Sequence, residues 1–460
     1  MTMEQLGVPT VPIITDAFQD VVKGVAYVKG MPDLRITFVP HPIFAKSAAE
    51  CRAILQGHDP VSGKPVLGEI VAGLTAPLTD EEKKTGFVQR PLPRLVGPDT
   101  PGNLEKLFME NGWTDYLPIV LPTEERVAEM LRGTLRKPDE IVGTMQPSPP
   151  HEAWEYTVEK VAVNAVMAGA KPEYFPVILA IASTGATSLF TSTNSWARMV
   201  VVNGPIRNEI KMNSGIGAMG PFNHANATIG RAWTLISKNL GNGGRPGVNY
   251  MGTQGNPLNW NNVCIPEKEE GLPAGWKPYH VQLGYKPEES VVSVFAGIFF
   301  QQASAPMSPL KDPEYESPEH MAAVIRGWGS VGPYLNLQAT VLLDPTHAQD
   351  LSKRYGFDSK EKLITWLRDN TLQTAWEYFR IYPSDLKKAK EGVEPYASWL
   401  KLPEGALVPV PKFRYLKQPE IPVRVHKEPV TVIVLGGETN PWYFAGDFYY
   451  VESASVDKWR

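Results

Sequence analysis

The stretch that decides the fold reads MVVVNGPIRNEIKMNSGIGAMGPFNHANATIGR and runs from Met199 to Arg231. The apolar, β-branched run Met199–Val202 predicts a strand, and residues 227–239 have the spacing of a helix. Asparagines and glycines lie between these elements, and they are typical of backbone with positive φ or of close approach to another group. The pattern therefore predicts a strand, a loop that bears a site, and a helix N-terminus.

This loop is predicted to bind a small anion. A helix N-terminus presents free N–H groups and the positive end of the helix dipole, and both favour a carboxylate or a phosphate. The glycine spacings of dinucleotide-binding and P-loop motifs are absent, so a well-packed turn explains the same residues equally well. The residues predicted to bind substrate here are Asn203, Arg207, Asn213, Asn223, Asn226 and Arg231.

Each of these residue types suits a particular task. Arg207 and Arg231 can hold a carboxylate with two hydrogen bonds, and the asparagine amides can stabilise a developing oxyanion. A second loop, which contains Gly436 and Gly437, follows the predicted strand 430–435. Because ligands bind beyond the carboxyl ends of parallel strands, we expect the two loops to lie together and share one pocket.

Composition limits the classes of function. With 43% hydrophobic residues, 20% charged residues and a net charge of −4, the 460-residue chain is typical of a globular protein. This charge argues against nucleic acid or anionic membrane as a partner, and the apolar runs are too short to span a membrane. The beginning of the chain has no signal-peptide pattern, and two cysteines cannot form a disulfide framework. We therefore expect a cytoplasmic protein, and no motif implies a metal or an organic cofactor.

The chain divides into two predicted domains. A strand at 8–14, a helix at 16–29 and a strand at 35–39 form a βαβ unit, which requires a parallel sheet. Four prolines between residues 87 and 103 indicate a linker. We predict a partial parallel-sheet α/β domain at 1–90, a linker at 91–102, and a larger, loop-rich α/β or α+β domain at 103–460 that binds the substrate.

Residues 348–400 have an amphipathic helical pattern. Large apolar side chains recur at helical spacing among charged ones, and they are predicted to lie in the core. These side chains are Leu363, Trp366, Leu367, Trp376 and Phe379.

A second group of residues could carry catalytic chemistry. Cys264 is a possible nucleophile, although its acidic neighbours disfavour a thiolate and a buried structural role explains it as well. His224 and His280 are possible bases because they lie in glycine- and amide-rich sequence. The run Glu267-Lys268-Glu269-Glu270 is typical of a solvated surface but could contain a catalytic carboxylate, for which we name Glu267.

Several sequence blocks resemble a known family. Gly7–Val11, Met31–Leu34 and Val39–Pro42 resemble the second half of the UGSC-type domain, an α/β domain of bacterial proteins with a Cys-Gly-Ser-Cys or selenocysteine-containing motif. Further blocks resemble the large domain that accompanies it, namely 112–115, 117–118, 122–127, 158–169, 172–177, 203–207 and 225–231. The resemblance implies thiol or selenol chemistry and names no substrate.

One departure from the family pattern is informative. In the UGSC-type domain the Gly-Ser-Cys motif precedes the strand that corresponds to Gly7–Val11, whereas Met1 lies only six residues before Gly7. Neither Cys51 nor Cys264 occupies the motif position. The simplest explanation is a split protein, in which a smaller subunit supplies the first half of the domain and the thiol or selenol.

The sequence therefore predicts the large subunit of a heteromeric bacterial enzyme. It would act on a small anionic organic molecule by thiol-dependent redox or nucleophilic chemistry with a thiol supplied by its partner. Two alternatives remain open: a hydratase or lyase that uses His and Glu side chains without a redox step, and a binding or scaffold subunit without chemistry.

Overall fold

The computed structural model describes residues 2–43, 46–84, 93–145, 154–220, 222–304, 317–327, 338–409 and 430–460. Within them the protein is a mixed α/β structure that contains several small sheets with parallel strand pairs. This confirms the predicted fold class. The predicted linker lies partly outside the described residues, and the division into domains stays a prediction. No helix in these ranges is both long and apolar enough to cross a membrane.

The first segment contains the predicted βαβ unit. Strands β1 (Ile13–Thr15) and β2 (Thr37–Val39) are parallel, with Ile14 opposite Phe38. The helices of this segment are α1 (Thr2–Gln5), α2 (Gln19–Val28), α3 (Ala48–Gln56) and α4 (Val66–Thr75). Helix α2 connects the two strands, so the βαβ unit predicted from the sequence is confirmed.

Helix α4 leaves one apolar face exposed. Leu67, Val71 and Leu74 follow the i, i+4, i+7 spacing that places side chains on one face, and all three are exposed. Another side of the helix packs closely, because a Cβ at Gly73 would lie 2.4 Å from Val11 Cγ2.

The remaining helices and strands begin at residue 101. The helices are α5 (Pro101–Glu110), α6 (Glu124–Leu131), α7 (Val158–Met167), α8 (Phe175–Ser183), α9 (Ile206–Glu209), α10 (His224–Asn239), α11 (Tyr279–Gln282), α12 (Ser317–Arg326), α13 (Pro345–Tyr355), α14 (Lys360–Asn370), α15 (Ala375–Ile381), α16 (Pro383–Lys390) and α17 (Tyr396–Leu400). The strands are β3 (Ile141–Met145), β4 (Trp154–Thr157), β5 (Ala197–Asn203), β6 (Val263–Pro266), β7 (Val291–Gly297), β8 (Phe300–Ser304), β9 (Ala339–Leu343), β10 (Leu372–Thr374), β11 (Leu407–Pro409), β12 (Val430–Val434), β13 (Trp442–Gly446) and β14 (Tyr449–Ser455).

Two four-stranded mixed sheets organise this part of the chain. The first has the order β14-β7-β5-β6, and β5 runs parallel to β6 with Val200 opposite Cys264. The second has the order β12-β9-β13-β8, and β12 runs parallel to β9 with Val432 opposite Val341. Two antiparallel pairs, β3 with β4 and β10 with β11, complete the strands of the described residues.

Strand β5 is buried on both faces. Val200 and Val202 lie in a hydrophobic cluster with helices α7, α8 and α10, whereas Met199 and Val201 lie in a second cluster that includes Ile433 of the other sheet. This division follows the two-residue period of a strand. A third cluster covers β9 and β12, and a fourth joins α15 to α17 with β11.

The predicted helical core is largely confirmed. Leu363, Leu367 and Phe379 are buried, and Trp366 is partly buried against the third cluster. The prediction is wrong for Trp376, which is 67% exposed on the solvent face of α15.

Residues near Trp459 close the first sheet. Strand β14 pairs antiparallel with β7, and the Trp459 side chain is buried in the same cluster as α8. The Thr134 hydroxyl donates a hydrogen bond of 2.6 Å to the Trp459 carbonyl oxygen. The last strand of the chain is therefore tied to a loop more than 300 residues earlier.

Candidate functional site

The carboxyl ends of several strands meet at one place. Strand β5 ends at Asn203, β6 ends just before Glu267, and β12 ends at Val434. The Lys268 amide donates a hydrogen bond of 2.7 Å to the Val434 carbonyl oxygen, so the end of β6 in one sheet touches the end of β12 in the other. Ligands bind beyond the carboxyl ends of strands in open α/β sheets.

Asn203 connects two carboxylates at this point. Its Nδ2 donates to Glu267 Oε2 at 2.8 Å and to Glu269 Oε1 at 3.0 Å, and the side chain is fully buried. The amide therefore holds two acidic groups close together in a region of low dielectric constant.

Glu267 forms a buried ion pair with Lys360. Lys360 Nζ lies 2.6 Å from Glu267 Oε1, and neither side chain is exposed to solvent. The Tyr279 amide also donates to Glu267 Oε2 at 2.7 Å. These partners hold the Glu267 carboxyl group in one position.

Glu269 is held by the loop that follows β5. The Gly204 amide donates to Glu269 Oε1 at 2.7 Å, and Arg207 Nη2 lies 3.2 Å from Glu269 Oε2. Gly204 has a φ of +82°, and a Cβ at this position would lie 2.1 Å from the Glu289 carbonyl oxygen. Only glycine fits this close turn.

Arg207 is shared with Glu270. The guanidinium donates two hydrogen bonds to the Glu270 carboxylate, at 2.6 and 2.9 Å. This interaction lowers the pKa of Glu270 to about 2. The two cations of the cluster, Arg207 and Lys360, therefore already face carboxylates.

His280 lies behind Glu269. Its side chain is fully buried on the short helix α11, and Nδ1 is 3.9 Å from Glu269 Oε1. Neither ring nitrogen has a hydrogen-bond partner among the described residues, and the same is true of Asn203 Oδ1 and Arg207 Nε. Because native structures rarely leave buried polar atoms unpaired, such a concentration indicates a functional site.

The charges of the cluster are close to balance. Glu267, Glu269 and Glu270 contribute three negative charges, whereas Arg207 and Lys360 contribute two positive charges. The 3.9 Å between His280 Nδ1 and Glu269 Oε1 is longer than a hydrogen bond, so a bridging water or a small movement is needed to connect the two groups. No group of three His, Cys, Asp or Glu side chains in the described ranges is arranged to hold a metal ion.

Comparison with known families adds one finding. Residues 1–60 match the UGSC family. This segment is a UGSC family domain. Its extent includes β1, β2 and Cys51, whereas every residue of the cluster lies between 203 and 360. No curated protein and no solved structure matches the chain.

The UGSC match confirms the resemblance of the first blocks. It ends at residue 60, so the likeness of the later blocks to the accompanying large domain stays a prediction. The cluster must therefore be interpreted from its own geometry, without a relative to supply residue roles.

Cys264 is separate from the cluster's polar groups. It lies within β6 and packs in the hydrophobic core beside Gly230, whose added Cβ would lie 3.3 Å from Cys264 Cβ. Burial raises the pKa of the Cys264 thiol well above its ordinary value. These surroundings favour the buried structural role for Cys264 over that of a nucleophile, because a nucleophilic cysteine needs a lowered thiol pKa.

The asparagines of the loop have local partners. Asn223 Oδ1 accepts from the Asn226 amide at 3.1 Å and caps α10, and Asn226 Nδ2 donates to the Asn213 carbonyl oxygen at 2.9 Å. Asn213 Oδ1 in turn accepts from the Gly215 amide at 2.9 Å. The amides hold the loop in shape, as asparagine does in many turns.

Two other predicted residues lie outside the cluster. Arg231 donates to Asp115 at 2.8 and 2.9 Å and to the Pro118 carbonyl oxygen, so its guanidinium is already paired. His224 is exposed at the first turn of α10, with its ring 5.8 Å from the Tyr174 ring. Among the described residues, neither Arg231 nor His224 forms a hydrogen bond or an ion pair with Glu267 or Glu269.

The two predicted loops do lie together. The Gly436 amide donates to the Ser214 carbonyl oxygen at 2.9 Å, and a Cβ at Gly437 would lie 2.0 Å from Ile216 Cγ1. Lys268 contacts the same loop, because its Nζ donates a hydrogen bond of 3.3 Å to the Gly436 carbonyl oxygen. The predicted proximity is therefore confirmed, although these contacts are packed backbone and a shared pocket stays a prediction.

Sequence reasoning missed Lys360. It stands in the charged run Ser359-Lys360-Glu361-Lys362 at the start of an amphipathic helix, where lysine is usually solvated. Ser359 Oγ accepts from the Lys362 amide at 3.3 Å, as the sequence of a capped helix suggests. No local signal distinguished the buried lysine from its exposed neighbour.

Proposed function

We propose that this chain is an enzyme subunit that transfers protons on a small organic molecule, as hydratases and lyases do. Glu269 is the acid-base group that meets the substrate, and His280 holds or returns the proton behind it. The supporting observation is the 3.9 Å approach of His280 Nδ1 to Glu269 Oε1 within a cluster that contains four unpaired buried polar atoms.

Exposure distinguishes the two carboxylates that Asn203 contacts. The Glu269 side chain is 15% exposed, whereas Glu267, His280 and Lys360 are fully buried. Glu267 is bound by Lys360 and by the Tyr279 amide, which suits a fixed supporting role. His280 therefore acts through Glu269 as a positioning residue.

The substrate class follows from the groups around Glu269. Arg207 and Lys360 both face carboxylates, so neither is an unpaired cation for a substrate carboxylate. A hydroxyl or carbonyl group could satisfy the unpaired Asn203 Oδ1 or Arg207 Nε. We therefore propose a small organic acid whose hydroxyl or carbonyl group, rather than its carboxylate, contacts this cluster.

A test uses the natively purified protein with any partner that accompanies it. Small hydroxy and keto acids would be incubated in D2O, and proton NMR would follow loss of C–H signals and addition or loss of water. Glu269→Gln should abolish the exchange, while exposed Glu452→Gln, on β14 of the same sheet, should leave it unchanged. Full turnover in Glu269→Gln would refute the proposal.

His280→Asn tests the supporting role separately. If His280 stores the proton, its loss should lower kcat and alter the pH profile. KM should change little, because His280 does not touch the substrate. An unaltered pH profile in a folded His280→Asn variant would remove His280 from the mechanism.

As a second candidate function, we propose that a partner chain covers the predicted 1–90 domain, whose first 60 residues match the UGSC family, and supplies the thiol or selenol of a heteromeric enzyme. Cys264 is buried with a raised thiol pKa, so it does not suit the nucleophile's role. The supporting observations are the exposed stripe of Leu67, Val71 and Leu74 and a parallel sheet that has two strands in the described part of the chain. Parallel sheets are normally covered on both faces.

The partner is tested by mass measurement of the natively purified complex. Leu67→Glu with Val71→Glu should release the partner without unfolding the chain, because both side chains are already exposed. Leu135→Glu is the matched control, since this leucine is 93% exposed and lies outside the predicted 1–90 domain. A chain that purifies natively as a cooperatively folded monomer would contradict the proposal.

A further inference from the structure

Strand β5 carries a buried cation at the end opposite the candidate site. Arg198 is the second residue of β5 and lies five residues before Asn203, which places it roughly 17 Å away along an extended strand. The two-residue period puts Arg198 on the same face as Val200 and Val202, which belong to the hydrophobic cluster under α7, α8 and α10.

Arg198 has few partners in this position. Its Nε donates to the Thr187 carbonyl oxygen at 2.7 Å, and its guanidinium lies 4.2 Å from the centre of the Phe190 ring. Nη1 is buried without a hydrogen-bond partner, and no carboxylate forms an ion pair with Arg198 among the described residues. A buried charge without a counter-ion is costly, so proteins normally pair it.

Asp447, an acidic residue close to Tyr449, accepts hydrogen bonds from the backbone. Asp447 Oδ1 accepts from the Ile298 amide at 2.8 Å and from the Phe299 amide at 3.2 Å. Burial lowers the pKa of Arg198 to about 10, and the neighbouring Tyr449 opposes this effect. The guanidinium therefore stays charged at neutral pH.

The loop over Arg198 is held in place. Trp233 Nε1 donates to the Ala186 carbonyl oxygen at 2.8 Å, and the Ser188 amide donates to Ser237 Oγ at 2.8 Å. Both partners lie on α10, which fixes the carbonyl of Thr187 between them. Ser188 itself carries a buried hydroxyl that has no partner in the described part of the chain.

We propose that Arg198 binds a small oxyanion, either a carboxylate or a phosphate, at this end of β5. With Nε bound to Thr187, the Nη1 and Nη2 atoms form the fork that suits two oxygens of one anion. The Phe190 ring lies against the guanidinium, and its centre is 5.7 Å from that of the Trp196 ring. This site is independent of Glu269 and does not rest on the proposed function.

The test observes Arg198 directly in the natively purified protein. The Nε–Hε resonances of 15N-labelled arginine would be recorded during separate titrations with inorganic phosphate and with acetate at constant ionic strength. Arg198→Lys assigns the resonance by its loss. We expect a saturable shift of the Arg198 signal, and the anion that binds more tightly identifies phosphate or carboxylate as the ligand.

Two variants separate a site from general screening, and their anion affinities are measured by titration calorimetry because Arg198→Met lacks the reporter resonance. Arg198→Met should weaken anion affinity at least about tenfold, as loss of a charge-assisted hydrogen bond predicts. Arg136→Met is the matched control and should keep wild-type affinity, because Arg136 also lies over an aromatic ring, 5.7 Å from the centre of Trp459. If Arg198→Met does not fold, the wild-type titration with Arg198→Lys decides. No saturable shift with either anion, or equal shifts of Arg198 and Arg136, would overturn the proposal.

Discussion

Lys360 Nζ lies 2.6 Å from Glu267 Oε1 with both side chains fully buried. The pair joins the first turn of α14 to the end of β6, across 93 residues of sequence. A buried ion pair is weak evidence for net stability, but breaking one strands a charge in the interior.

Removing one partner of the Glu267–Lys360 ion pair should lower the free energy of unfolding more than replacing both partners does. Lys360→Met and Glu267→Gln should each lower the free energy of unfolding by about 3–5 kcal/mol, because each leaves a polar partner uncompensated. The double variant should lose less than Lys360→Met alone. Urea unfolding measures both quantities.

A nearby pair provides the control for this experiment. Lys362 and Asp358 form an exposed ion pair at 2.6 Å, and Lys362→Met should cost no more than about 1 kcal/mol. Strictly additive losses in the Glu267 and Lys360 double-mutant cycle would show that the two residues are not coupled.

Cys264 should behave as a structural residue. A thiol reagent should modify it only after unfolding, and Cys264→Ser should cost about 1–3 kcal/mol by burying an unsatisfied hydroxyl. Turnover should survive. Cys264→Ala is the matched comparison, because it removes the sulfur without adding a polar group; rapid labelling of Cys264 in the folded protein would contradict its buried position.

The Cys264 thiol also predicts a pH dependence. Burial raises the pKa of the Cys264 thiol in the folded protein above the ordinary value of about 9. The neutral thiol therefore contributes its full stabilisation of the folded state below about pH 9, and this contribution is lost as the pH rises further, because the thiol ionises in the unfolded chain. Stability of the wild type should therefore fall more steeply than that of Cys264→Ala in alkaline solution. Parallel curves would count against this assignment.

Glu270 predicts the opposite behaviour in acid. Its folded-state pKa is lowered to about 2, chiefly by hydrogen bonds from Arg207. This stabilisation is present above the ordinary value of 4.5 and is lost as the pH falls from there toward 2. The stability difference between wild type and Glu270→Gln should shrink over this interval.

Salt provides the check on Glu270. The side chain is 58% exposed, so screening should also reduce its contribution. In an Arg207→Met background the Glu270→Gln difference should nearly vanish. A difference that stays constant down to about pH 2 would disprove the role of Arg207.

Gly436 should tolerate no side chain. Its φ is +144°, and an added Cβ would lie 2.4 Å from Asp344 Oδ2. Gly436→Ala should lower stability by about 1–3 kcal/mol, and hydrogen exchange at the Gly436 amide should accelerate as its bond to Ser214 loosens. Gly392→Ala is the control, because Gly392 has a φ of +84° with open space around it. Equal effects would mean that only the backbone angle matters.

Elements with a regular apolar period were predictable from the sequence. The βαβ unit of the UGSC domain, strand β5 and helix α6 follow periods of two or 3.6 residues, which depend on local sequence. Thr123 caps α6 as its sequence predicts, with Oγ1 accepting from the Arg126 amide at 3.4 Å. The prediction that Trp376 lies in the core was wrong because the helical period alone does not reveal which face of α15 meets the core.

The cluster was only partly predictable. Glu267 and His280 were named, but the run that includes Glu269 and Glu270 resembles a solvated surface in the sequence. Within this run Glu267 is buried and Glu269 is partly buried, at the place where β12, some 160 residues later, ends against Lys268. Long-range contacts of this kind leave no periodic signal, and the same limitation explains why Lys360 was missed.

The bond between Thr134 and Trp459 and the pairing of β14 with β7 bear on biosynthesis. The first sheet lacks its edge strand until residue 455 has been translated, and the second sheet lacks β12 until residue 434 has emerged from the ribosome. A nascent chain must therefore leave one edge of β7 without its partner from residue 297 to residue 455, and one edge of β9 without β12 until residue 434 has been made. Chains with such distant strand pairings fold slowly and expose aggregation-prone surface meanwhile, so this protein should depend on chaperones while it is being made.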